Sequence, residues 1–181
     1  MSTSAKLPES KSAAAYPAQG RSLPMAPTMR KATAAKVAAS AGFEEVFLTA
    51  PHERIAAIKR GVPAAQLNLL AERMQVSKEA LISLLRLSRA TVNRKARDMK
   101  PLSQDESERV LGVAYLIGQV ENMVRESGAP QGFDAAVWVA TWLHAPLPAL
   151  GNKQPASYMD TVEGQKLVSS ILAMGQSGAY A

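Results

Sequence analysis

From residue 50 onward the apolar positions recur with helical spacing, and a proline, glycine or short polar residue stands at nearly every join. Leu67, Leu70, Ala71 and Met74 fall at i, i+3, i+4 and i+7, which is one face of a helix. Ahead of them, Pro51 suits a first helical turn and Gly61 a C-terminal cap, so a helix over 50–60 is expected with Ile55 and Ile58 inward. Pro63 opens the next helix. Gln75-Val76 breaks it, Ser77 caps a further one, and Leu81, Leu84 and Leu85 form that helix's buried stripe. Ser88 then caps a helix from about Arg89 to Met99. Short helices joined by tight turns within this stretch have the dimensions of a helix-turn-helix.

Ser103-Gln104-Asp105-Glu106 is a capping box opening the longest helix, in which Val110, Val113, Ala114, Ile117, Val120 and Val124 keep the period to about Arg125. Ser127-Gly128-Ala129-Pro130 ends it. Gly112 and Gly118 weaken a helix, by up to about 1 kcal/mol each relative to alanine, and so point to close helix contacts. A dimer seam and tight intrachain packing explain them equally well. After a loop at Gln131-Gly132-Phe133, Asp134 caps a helix through Leu143. Trp138 and Trp142, four apart on one side of it, are expected in the core, with an interface as the alternative. Pro146 and Pro148 stiffen the next turn, Leu150 points back into the domain, and Gly151 supplies freedom of backbone angle. Pro155 starts a one-turn helix. Asp160-Thr161-Val162-Glu163 caps the last helix, which Gly175 is expected to end, leaving a short tail of mostly small residues from Gln176 to Ala181. The fold class is all-α.

Composition adds limits. Of the 181 residues 47% are hydrophobic but only 5% aromatic, so the core should be aliphatic. The first forty residues are rich in Ala, Ser and Pro and carry Lys6, Lys11, Arg21, Arg30, Lys31 and Lys36 against the lone acid Glu9. Such a stretch cannot bury enough apolar surface to offset its chain entropy, which predicts a disordered basic N-terminal arm over 1–49, with a short helix from Thr28 to Ala41 stopped by Gly42. Cysteine is absent, which removes disulfides, thiolate metal sites and a cysteine nucleophile. No apolar run is long enough to span a membrane, so a cytoplasmic protein is expected. Histidine occurs only at His52 and His144, far apart. The glycines of the helical region stand singly rather than as a phosphate loop, and Asp105, Glu106 and Glu108 sit in a capping turn whose dipole favours acids. No catalytic residue, metal site or cofactor is therefore expected.

The net charge of +6 favours a polyanionic partner. Its chemistry concentrates on the helix from Arg89 to Met99. Val92 and Ala96 form a thin apolar seam there, and Ser88, Arg89, Thr91, Asn93, Arg94, Lys95 and Arg97 surround it. Arginine bonds guanine bidentately, asparagine bonds adenine, and Ser or Thr reaches a phosphate or base edge. The N-terminal end of such a helix points at the bases, which assigns reading to Arg89, Thr91 and Asn93 and phosphate contact to Arg94, Lys95 and Arg97. A solvated basic face on an ordinary helix is the plainer interpretation of the same residues.

The C-terminal run Trp142-Leu143-His144-Ala145-Pro146-Leu147-Pro148-Ala149-Leu150-Gly151, continuing into Pro155-Ala156-Ser157-Tyr158-Met159-Asp160-Thr161-Val162-Glu163-Gly164, resembles the toxin-binding domain of the Xre/MbcA/ParS antitoxin family. That family's usual form reads W-L-x-T-P-N-P-A-L-G-G-x-T-P-x-x-L-x-x-T-x-x-G. The segment before it looks like the family's helix-turn-helix, so the resemblance covers residues 50–181. It implies an Xre-like DNA-binding and dimerisation domain over 50–127 and a small helical toxin-binding domain over 128–181. Departures are Leu147 and Asn152 where Asn and Gly are usual, Gln154 for the capping Thr, and Ala173-Met174-Gly175-Gln176 in place of a charged pair. The resemblance further implies an antitoxin of the type II kind. Its toxin would be a RES-domain protein that consumes NAD, whose active-site entrance the C-terminal region covers through Ile171, Leu172, Met174, Gln176 and Tyr180. Operator DNA would be the second partner, bound by a homodimer that represses its own operon, with a larger hetero-oligomer forming with toxin. A stand-alone helix-turn-helix regulator, its C-terminal domain serving oligomerisation or ligand sensing, is the alternative.

Overall fold

The computed structural model describes residues 42–128 and 132–176, apart from the side chain of Gln176. The helix expected over Thr28 to Ala41 and the tail residue Tyr180 lie outside the described residues. Eight α-helices and two 3-10 turns make up the described part: α1 Phe43–Leu48, α2 Pro51–Arg60, α3 Gln66–Arg73, α4 Lys78–Leu84, α5 Arg89–Arg97, α6 Gln104–Glu126, α7 Ala135–Leu143, the 3-10 turns Pro148–Leu150 and Pro155–Tyr158, and α8 Val162–Gln176. Among these residues the only β pairing is two isolated bridges, Pro63 with Pro101 and Leu147 with Lys153. No helix among them is long and apolar enough to cross a membrane.

Most of the stops and starts are local chemistry. Ser77 and Ser88 accept hydrogen bonds from the backbone N–H groups of Ala80 and Thr91, and Ser103 with Glu106 forms the reciprocal capping box. Asp134 accepts from two N–H groups, those of Ala136 and Val137, at the start of α7. Thr161 Oγ1 accepts from Gly164 N–H at 3.1 Å. Gly61, at φ 83°, turns the chain out of α2 where a Cβ would stand 2.5 Å from the carbonyl oxygen of Leu102. Less legible are the ends of α3, α4 and α5, where Gln75, Arg86 and Met99 take positive φ without being glycine. After each, the next N–H bonds back to a carbonyl inside the helix: Val76 to Ala71, Leu87 to Ile82 and Lys100 to Lys95, at 2.8–3.0 Å. This is the Schellman closure, and the first two place a partly buried apolar residue against the core.

The long helix α6 is the spine. Its Val110, Val113, Leu116 and Ile117 are almost completely buried, in a core with Leu67, Leu81, Leu85 and Val92 from the helices before it and Val139, Leu143 and Val168 from those after it. Ser107, fully buried, accepts from Val62 N–H at 2.9 Å, and Leu102 N–H donates to Val62 O at 2.8 Å. Those bonds fix α6 to the link between α2 and α3.

Residues 43–48, grouped with the basic arm by composition, form α1 instead. The helix lies along α6 with Val46 buried, and the Phe47 ring meets Tyr115 at 5.0 Å. Phe43, Val46 and Phe47 supply the apolar surface that the residues before them lack. Gly118 admits this contact, since a Cβ there would stand 2.0 Å from the Phe43 carbonyl oxygen. Gly112 faces Gln165 of α8. Both glycines thus serve packing within the chain. Ile55, expected inward, is 51% exposed and Ile58 partly buried, because α2 meets the core through a narrower stripe. The last helix also runs one residue past Gly175, to Gln176.

Candidate functional site

Two surfaces carry chemistry. The first is α5. Val92 is completely buried and Ala96 packs on the core, which sets the helix's rotation and leaves Arg89, Asn93, Arg94 and Arg97 exposed with Thr91 half-exposed. Ser88 caps the helix, its Oγ 3.4 Å from the Thr91 N–H. Arg97 pairs with Asp98 at 3.1 Å but keeps most of its side chain in solvent.

Lys95 is placed differently from the other cations. Its ammonium bonds Glu106 in the first turn of α6, and only 20% of its side chain is exposed. Burial pushes the Glu106 carboxyl up. The bond from Lys95, the N–H of Ser103 at 2.7 Å and the lysine charge outweigh that effect and hold it below its ordinary value. Lys95 therefore anchors α5 to the spine. The turn before α5 is held as firmly: Arg109 donates to the carbonyls of Leu85 and Arg86 at 3.3 and 3.2 Å, and Arg86 pairs with Asp160 at 3.2 Å.

The second surface is a groove of about 660 Å³. One wall is the end of α6, with Met123, Val124 and Ser127. Trp138 and Trp142 of α7 form another, Leu147, Pro148 and Ala149 close one end, and Ile171, Leu172 and Gly175 of α8 complete it. The two tryptophan rings stack at 5.8 Å with an interplanar angle of 14°, and Phe133 meets Trp138 at 6.4 Å. Trp138 is 37% exposed. The expectation of a core place is thus corrected for Trp138, while Trp142 is partly buried against the core and also lines the groove: Ala135, Ala136 and Ala140, together with Val139 and Leu143, fill the core side of α7.

The closing segment owes its shape to the turn Gly151-Asn152, where successive residues take φ 62° and 61°. Asparagine tolerates that region better than other non-glycine residues, which explains how Asn152 stands where the family has glycine. The turn is closed by Asn152 N–H to Leu147 O at 2.9 Å and Leu147 N–H to Lys153 O at 3.1 Å. α8 is held on the spine by a polar pair between buried Gln119 and half-buried Ser169, Gln119 Nε2 donating to Ser169 O at 3.1 Å and Ser169 Oγ donating to Gln119 Oε1 at 2.7 Å. Gln165 adds a bond to Met159 O at 3.0 Å.

Of the residues expected to meet a partner protein, Ile171 and Leu172 are over nine-tenths buried and form the groove's inner wall. Met174 is half-buried, Gln176 closes the helix, and Tyr180 is outside the described residues. Sequence reasoning missed Met123, Val124 and Leu147 as groove residues. The available signal was the Trp138, Trp142 pair beside alanines that are too small to be the helix's only buried face.

Residues 53–115 match the family of the antitoxin Xre-like helix-turn-helix domain, and residues 132–178 match that of the antitoxin Xre/MbcA/ParS C-terminal toxin-binding domain. A curated relative, the Prs ADP-ribosylating antitoxin of Sphingobium sp. (strain YBL2), is 47% identical over 139 residues, covering 77% of this chain and 87% of that protein.

Proposed function

Since the chain belongs to the Xre/MbcA/ParS antitoxin family, with an Xre-like helix-turn-helix followed by a C-terminal toxin-binding domain, we propose that it neutralises an NAD-consuming toxin of the RES-domain class by covering its active-site entrance. The 47% identity to an antitoxin whose name specifies Prs ADP-ribosylation carries this reading, because ADP-ribosyl transfer draws on NAD. The work divides near residue 127, with DNA contact before it and toxin contact after it. Ile171 and Leu172 support the toxin contact through the wall they build, and Met174, Gln176 and Tyr180 complete the proposed set. Neutralisation takes place in the cytoplasm, where NAD and the operator both are.

The second activity is repression of the chain's own operon. The exposed face of α5, with Arg89, Thr91 and Asn93 toward base edges and Ser88, Arg94 and Arg97 toward phosphates, supports operator binding. Lys95 contributes through its bond to Glu106. A homodimer binds two half-sites, and toxin joins it in a larger complex. The test is expression of the toxin gene that adjoins this one. Alone it should arrest growth, lower cellular NAD and ADP-ribosylate Prs, and co-expression of this chain should reverse all of these. A neighbour that is harmless alone, or equally harmful with this chain present, refutes the reading.

A further inference from the structure

The groove between α6, α7 and α8 is far larger than one side chain needs, and among the described residues no charged one lines it. We propose that it receives an uncharged apolar protrusion of the cognate toxin, a helix edge or loop whose bulky aliphatic or aromatic side chains lie between the Trp138, Trp142 stack and Ile171. The inference rests on the antitoxin reading above and adds where, and by what chemistry, the toxin is held.

Three observations favour the toxin as occupant. Two of the walls, α7 and α8, fall within the residues that match the toxin-binding domain, so the groove is built mainly from the part of the chain that the family match assigns to toxin binding. Its volume lies in the range of sites that bury most of a ligand's surface. The exposed Trp138 and the half-buried Trp142 are the residue type that dominates binding energy at protein interfaces, set here in a site whose described lining offers Ser127 as its polar side chain. A partner segment with a charge at its tip would lose hydration with no charge to pair with among the described lining residues, which favours an occupant of apolar chemistry. The third wall comes from α6, so the seat exists only when α7 and α8 are docked on the spine.

The chain has only two tryptophans, and both line the groove. Incorporating 5-fluorotryptophan therefore places two fluorine labels in the site and none elsewhere in this protein. Titration with the unlabelled toxin from the adjoining gene should move both fluorine resonances and saturate at the stoichiometry of the complex. Trp138→Ala should weaken toxin binding by at least about 30-fold, the loss typical of a truncated hot-spot residue. Gly175→Phe tests the same site by filling it. A Cβ at Gly175 has no neighbour within 4 Å among the described residues, so a ring is accommodated beside the groove that Gly175 lines, and toxin affinity should fall. Both variants should keep the circular dichroism and operator affinity of the parent.

Unmoved resonances in a complex confirmed by sizing would overturn the groove proposal and leave the antitoxin reading intact. So would undiminished binding by folded Gly175→Phe. Resonances that move with the chain's own concentration, without toxin, would assign the groove to a second copy and overturn it too. Failure of the parent chain to bind the toxin at all refutes the antitoxin reading, and this proposal with it.

Discussion

Replacing Gly118 by alanine sets two effects of opposite sign against each other. In an isolated helix the change would stabilise by about 1 kcal/mol, since glycine is that much poorer than alanine in a helix interior. In this fold the new Cβ would stand 2.0 Å from the Phe43 carbonyl oxygen, 2.5 Å from its carbon and 2.9 Å from Phe47 Cβ. Backbone on the facing helix cannot rotate aside as a side chain can, so α1 must retreat by more than about 1 Å to restore ordinary contact. Retreat loosens Val46, worth about 1.5–3 kcal/mol when fully buried. It also stretches the bond from Glu44 N–H to Glu121, 2.6 Å here, worth about 1 kcal/mol. Losses of about 3 kcal/mol against a gain of about 1 leave a net destabilisation of about 2 kcal/mol.

Gly112→Ala is the control. The nearest atoms to its Cβ would be the end of the Gln165 side chain, at 1.9–2.6 Å, which can swing away at the cost of its bond to Met159 O and a long one to Arg109 O. The propensity gain and the lost bond, each about 1 kcal/mol, nearly cancel. Urea unfolding followed by circular dichroism should therefore separate the two variants by about 2 kcal/mol, with faster amide exchange in α1 for Gly118→Ala alone. Equal stability of the two, or a stabilised Gly118→Ala, would refute the seating of α1 on α6.

Three further outcomes are expected. Arg89→Ala with Asn93→Ala should abolish specific operator protection in a footprint while toxin neutralisation persists, and the parent's operator affinity should fall steeply with salt as phosphate-bound counterions are released. Glu106 has a folded pKa below its unfolded value, so its contribution to stability is present above the unfolded value near 4.5 and is lost as pH falls through the lower folded one. A Glu106→Gln variant should accordingly show a flatter loss of stability in that acid window when both are melted from pH 6 downward. Gln75→Gly should stabilise the fold by about 0.5–1 kcal/mol in urea, because its φ of 54° disfavours a side chain and glycine adopts it freely.

Much of the fold could be read from the chain because its helices are punctuated by side chains that cap. Ser77, Ser88, Ser103 with Glu106, and Asp134 each bond the backbone they precede. What escaped had a tertiary cause. Phe43 to Leu48 is too short to declare itself by periodicity, and it becomes a helix by packing along α6. Gln75, Arg86 and Met99 close helices in a role that composition reserves for glycine. Lys95 belongs by type with Arg94 and Arg97, but the place of Glu106 at the head of another helix decides its direction. The tryptophans were visible, yet the side of α7 they occupy depends on the alanines and Leu143 having filled the core first. A truncation after Gly164, aimed at deleting toxin binding, would also strip Val168, Ile171 and Leu172 from the core. Point changes within the groove separate function from folding better.

The reach of α6 bears on how such proteins can be recombined. Its head receives the lysine that steadies α5, and its far end forms part of the cavity beside the tryptophans. A graft that exchanged toxin preference with a relative at the loop following this helix would leave Met123, Val124 and Ser127 behind and deliver a mismatched wall. Donor sequence should therefore begin within the final turns of the rod, and partner choice should co-vary with those positions as much as with the terminal helix.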